Sequence, residues 1–155
     1  LKRSGPVPIL WAAFCAAVGS TVIELLLWPI AGEDAFHNLL RDARLTAALV
    51  MGRSVLGAST GFDPAIMGVA TAVHAALSLA YTAVLAKLVR HLSPGAALLT
   101  GGAFGLALYG INLHAFTAIF PWFVAARGVI TLVAHVVFGV VAAGVCCFVR
   151  RMPRT

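Results

Sequence analysis

The sequence predicts an all-α integral membrane protein: a four-helix bundle with an external amphipathic helix between spans one and two. Three observations carry that expectation. Hydrophobic residues make up 61% of the chain and charged residues 10%, where a soluble domain carries about 25% charged residues. Mean hydropathy is +1.00, and four apolar runs are long enough, at ~1.5 Å per residue, to cross a hydrocarbon layer ~30 Å thick. Most of the charges lie at the ends of those runs. The 155 residues read as a single membrane domain, with spans at 9–30, 64–88, 95–120 and 126–149.

Span one follows Lys2-Arg3 and reads PILWAAFCAAVGSTVIELLLW. Its apolar stretch is longer than the core of a signal peptide. Phe14 occupies a position where a lipoprotein box needs a small side chain, so the run is expected to be retained. Trp28-Pro29 closes it, the tryptophan placed as an interfacial anchor. One helical stripe gathers Ala13, Ala17, Ser20, Glu24 and Trp28.

The 31–63 connection contains EDAFHNLLRDARLTAALVMG. Helical spacing brings Phe36, Leu40, Ala43, Ala47 and Val50 onto one stripe, and two acidic residues favour a helix start. The expectation is an amphipathic helix over 33–51, lying in the headgroup layer or forming a lid over whatever the spans enclose. GASTGFD then returns the chain.

Spans two and three each begin with a capping residue before a proline, Asp63-Pro64 and Ser93-Pro94, the expected chemistry of a helix start. Span two carries a polar stripe of Thr71, His74, Ser78 and Thr82. Span three has two opposed faces. Gly101, Gly105, Tyr109 and Asn112 share one, with the GxxxG spacing of closely packed membrane helices. Gly110, His114 and Thr117 share the other, so either Asn112 or His114 faces the centre. Pro121-Trp122 ends this span. Span four aligns Thr131, His135, Gly139, Ala142 and Cys146, with Arg127 at its edge.

Basic residues set an orientation. Lys2, Arg3, Lys87, Arg90, Arg150, Arg151 and Arg154 share one side without acidic neighbours. Arg41, Arg44, Arg53 and Arg127 share the other with Glu33, Asp34, Asp42 and Asp63. The positive-inside rule places both termini in the cytoplasm of a bacterial inner membrane. The net charge of +6 is thereby accounted for by topology, and no nucleic-acid-binding signature accompanies it. The lipid bilayer is the expected partner, with a homo-oligomer or larger membrane complex open.

Counting ~1.5 Å per residue from the helix ends places Glu24, His74, His114 and His135 in one band, roughly 8–15 Å deep. Ionisable groups inside a membrane are costly and mark functional sites. One reading has Glu24, His74 and His135 bind a transition metal (zinc, iron or copper), with His114 or Asn112 as fourth ligand. A second holds haem b between His74 and His135, with Arg127 near its propionates. A third has no metal: the same groups form a hydrogen-bonded network, structural or passing protons. Ser78, Asn112 and Thr131 supply supporting polar groups in each. Contact between spans two and four through the His74 and His135 faces is expected. Arg127 also has a simpler reading, snorkelling to the interface.

Other chemistry finds little support. Cys15, Cys146 and Cys147 lie in apolar runs as small packing residues, or as a soft-metal relay. No nucleophile elbow, phosphate loop, HExxH or CxxC occurs, and His37 and His91 receive no role. The function classes left are a metal- or haem-binding membrane protein, a proton-coupled small-substrate transporter or relay, and an accessory subunit of a larger complex. The stretch HAFTAIFPWFVAARGVITLVAHVVFG resembles small bacterial inner-membrane proteins of uncharacterised role. That resemblance covers mainly the last two spans and implies a small four-span membrane protein, without catalytic residues.

Overall fold

The computed structural model describes residues 6–57 and 61–151. Five α-helices follow in order: α1 (Pro6–Ile30), α2 (Ala35–Met51), α3 (Pro64–Val89), α4 (Pro94–Gly110) and α5 (Val129–Arg151). No strand occurs among the described residues. Four stretches, Pro8–Ile30, Pro64–Val89, Pro94–Ala118 and Val129–Arg150, are long and apolar enough to cross a membrane.

The expected caps form. The Asp63 carboxylate accepts from the Ala65 and Ile66 N–H groups, and the Ser93 hydroxyl accepts from Ala96 N–H. α2 starts at Ala35 rather than 33 because Asp34 is its N-cap, accepting from His37 N–H at 2.9 Å. Pro29 lies inside α1, which ends one residue later; the turn uses Gly32 at φ +78°. That dihedral is costly for residues bearing a Cβ.

α5 packs closely against α4 and α1. Gly101 and Gly105 of α4 face the α5 backbone, where an added Cβ would fall on the carbonyl oxygens of Gly139 and His135 respectively. The GxxxG face therefore works as its spacing suggests. Toward the chain termini the core is small and dense: Ala12, Ala16, Leu85, Val89, Ala97, Ala142 and Ala143 are buried together with Cys146 and Cys147. Arg150 closes that end by donating to the last carbonyls of α3, at Val89 (3.0 Å) and Arg90. A cation at a helix C-terminus satisfies acceptors that have no intrahelical partner.

At the opposite end the third span becomes irregular. α4 stops at Gly110 and runs on as a π-helical turn, Ile111–Ala115, then short 3-10 turns at Phe116–Ala118 and Pro121–Ala126. Span three thus reaches Ala118 as an apolar stretch but is regular α-helix only to Gly110, and α5 begins at 129 rather than 126. Arg127 repairs the break. Its guanidinium donates to the Leu113 carbonyl at 2.6 Å and the Thr117 hydroxyl at 2.7 Å.

α2 does not lie apart on the surface. Leu40, Ala43 and Ala47 are buried as expected, but Phe36 and Val50 are 60% and 70% exposed, and Asn38, Leu45 and Ala48 are buried instead. The helix has two packed sides. Ala43 and Ala47 meet Ile66 and Ala70 of α3, while Leu45 meets Leu113 and Ala126 beside the broken end of α4. Trp122, at the end of span three, serves this docking. Trp122 donates its indole N–H to the Leu45 carbonyl at 3.0 Å, beneath the Arg53 guanidinium. Trp28 is 2% exposed.

Candidate functional site: a polar cavity beneath α2

Between the dense end and α2 lies a cavity of about 430 Å³. Its walls are mostly apolar, with Phe116, Phe120, Phe123 and Phe138 prominent, and its polar groups arrive from four helices and the π turn. Ser20 and Glu24 come from α1, Asp42 and Thr46 from α2, and His74, Ser78 and Tyr81 from α3. Asn112 comes from the π turn and His135 from α5. An apolar cleft with a few convergent polar groups is the usual form of a small-molecule site.

One wall carries an ordered hydrogen-bond chain. The Tyr81 hydroxyl donates to Asn112 Oδ1 at 2.9 Å, and Asn112 Nδ2 approaches His135 Nε2 at 3.5 Å. His135 Nδ1 lies 2.8 Å from the Thr131 carbonyl. A carbonyl can only accept, so the ring proton sits on Nδ1 and Nε2 is the acceptor for Asn112. Tyr81, Asn112, His135 and Thr131 are therefore linked in one direction. Asn112 takes the central position because it extends the Gly101–Gly105 face toward α5. His114 is exposed and packs edge-on against the Tyr109 ring, centroids 5.5 Å apart.

The other wall is acidic. Asp42 lies close enough to Glu24 to act on it electrostatically, as does Arg41, which is paired to Asp42 at 2.8 Å. Burial pushes the Asp42 carboxyl above its usual range, against the pull of the Arg41 guanidinium. Glu24 has no hydrogen-bond partner among the described residues. His74 completes this wall and borders a second, larger cavity of about 740 Å³ between α1 and α3, which Glu24, Asp42, Thr46 and Ser78 also line.

The expected metal site finds no support here. Among the described residues no three His, Cys, Asp or Glu side chains form a group that could hold a metal ion. Glu24, His74 and His135 share the cavity but are spread around it, His114 does not line it, and Cys15 is half-buried while Cys146 and Cys147 are buried. The paired-histidine contact is likewise a shared space: His74 and His135 act on each other electrostatically, but no hydrogen bond joins them among the described residues. The His135 Nε2 lone pair, one of the two expected for haem b, faces Asn112 at 3.5 Å. Arg127, assigned to propionates, is engaged at Leu113 and Thr117 and does not line the cavity. Ser78 lines both cavities, and Thr131 contributes its carbonyl.

Two cavity-lining positions escaped the sequence reading. Tyr81 follows His74 by seven residues, two helical turns, and its place on the stripe was available from spacing. Asp42 gave no such signal, since an acid beside an arginine on an amphipathic helix ordinarily faces water. No family model, curated protein or solved structure matches the chain.

Proposed function

We propose that this is a four-span membrane protein that binds a small, largely apolar solute in the cavity beneath α2 and couples occupancy to proton exchange at Glu24. Insertion in a bacterial inner membrane, with both termini cytoplasmic, is part of this reading. So is the kinship of its last two spans with small inner-membrane proteins. The observation that carries the proposal is the cavity itself: about 430 Å³, walled by aromatic rings, and lined by both Glu24 and the Tyr81–Asn112–His135 chain. A carboxyl within a bilayer must hold a proton, a counter-ion or a hydrogen-bond donor. Glu24 has no donor among the described residues, so proton and ligand become alternatives at one group. The dense core at the other end, from Leu85 to Ala143, supports a site closed toward that end.

A proton relay without ligand is the weaker alternative, because the hydrogen-bond chain ends at the Thr131 backbone rather than crossing the bundle. An accessory role in a larger complex, or a homo-oligomer, would leave the cavity without a purpose of its own.

A hydrophobic carbodiimide tests the reading, since it is itself a small apolar solute and reacts with protonated carboxyls. Protein in lipid nanodiscs should acquire one adduct, located at Glu24 by mass spectrometry, and the yield should fall as pH rises. Adducts confined to surface acids such as Glu33 and Asp34, with Glu24 unmodified, would contradict it.

A further inference from the structure

The two cavities meet at one line of residues. Glu24, Asp42, Thr46, His74 and Ser78 border both the 430 Å³ cavity within the bundle and the 740 Å³ cavity between α1 and α3. The larger space is a groove with an apolar length. Leu10, Phe14, Val18 and Val22 of α1 and Leu79 of α3 line it and are exposed. In a bilayer its open side faces acyl chains.

We infer that the joined cavities form a two-part site for a cationic amphiphile, admitted sideways from the bilayer between α1 and α3. The head would rest at Glu24 and the chain in the groove. This rests on the solute-binding reading above and gives the solute a chemical class.

Charge fixes the sign of the head. No lysine or arginine lines either cavity among the described residues. Glu24 and Asp42 bring two carboxyls to the junction, and Arg41 is already paired with Asp42. One carboxyl therefore remains without a counter-cation, which matches a head of single positive charge. The inner cavity adds Tyr81 and four phenylalanines, whose ring faces attract cations. An anionic head would meet acceptors and aromatic faces without a compensating donor cation. Shape fixes the rest, because a compact cation would fill only the inner space and leave the groove unused.

Protection of Glu24 from the carbodiimide tests this in nanodiscs of zwitterionic lipid. Decyltrimethylammonium is expected to protect saturably, lowering the adduct yield at least fivefold. Tetramethylammonium, which lacks the chain, and decyl sulfate, which reverses the charge, should leave the yield within twofold of the control. Equal protection by decyl sulfate or by decanol would overturn the cationic assignment in favour of plain apolar filling. Absence of protection by decyltrimethylammonium would overturn the amphiphile itself. Both results differ from failure of the underlying reading, in which Glu24 forms no adduct before any amphiphile is added.

Discussion

Gly105 shows how a residue with no side chain positions the site. Its hydrogen leaves room for the His135 carbonyl, and this close approach of α4 to α5 lets Asn112, two turns further on, reach the His135 ring. Gly105→Ala is expected to lower stability by about 1–3 kcal/mol, the usual cost of overpacking, and to break the contact between Asn112 and His135. Gly102→Ala is the control. Its Cβ would meet Val140 Cγ2 at 3.6 Å, an ordinary contact, so stability should be unchanged or slightly raised. Thermal unfolding in one detergent checks both. A Gly105 variant as stable as the control would remove backbone approach as the cause. At this scale the sequence was partly legible. The glycine spacing announced a close-packed face, and Glu24, His74 and His135 stood out as ionisable groups in apolar runs. The choice between Asn112 and His114 was not legible, because a π turn at Ile111–Ala115 alters the helical phase that periodicity assumes.

α2 is the element whose role changed most between sequence and structure. Its apolar stripe was readable, but a helix packed on two sides shows the same periodicity as one lying on a surface. The partners of Leu45 lie far along the chain, at Leu113, Ala126 and Trp122. The lid reading gains from this, since Asp42 and Thr46 face the cavity while Trp122 and Arg53 fasten the outer side. Docking of the lid should depend on pH. Burial raises the Asp42 carboxyl above its ordinary value of 3.8, so the docked helix binds more protons than the undocked one between those two values. Docking is therefore strongest below the ordinary value and weakens as pH rises through the raised one. Arg41 and Glu33 act on the same carboxyl, and Glu24 and His74 share its cavities. The Asp42→Asn comparison isolates its part. In a chain with the native cysteines replaced by alanine, a cysteine at Thr46 should label faster as pH rises, relative to one at exposed Val50. That rise should be smaller in the Asp42→Asn background; an equal rise in both would place the pH response elsewhere.

Across the whole molecule the two ends of the bundle are built differently. One end is a dense core of alanines, glycines and cysteines, closed by Arg150 on the last turn of α3. The other is held open by α2 and by the irregular segment between α4 and α5, which Arg127 braces. Composition and periodicity made four apolar helices legible, because a helix able to cross a bilayer must meet the length and hydropathy requirement by itself. The cavity was not legible in the same way, since its volume depends on where α4 breaks and how α2 docks. Placing several ionisable residues at one depth suggested a metal, but depth alone does not bring ligands into one coordination sphere. In this account Glu24 exchanges a proton with a ligand-accessible cavity. Infrared difference spectroscopy between acid and alkaline buffer tests that most directly. The account predicts a protonated-carboxyl band in the acid state that disappears at alkaline pH and is missing from Glu24→Gln; a variant spectrum identical to that of the wild type would contradict it.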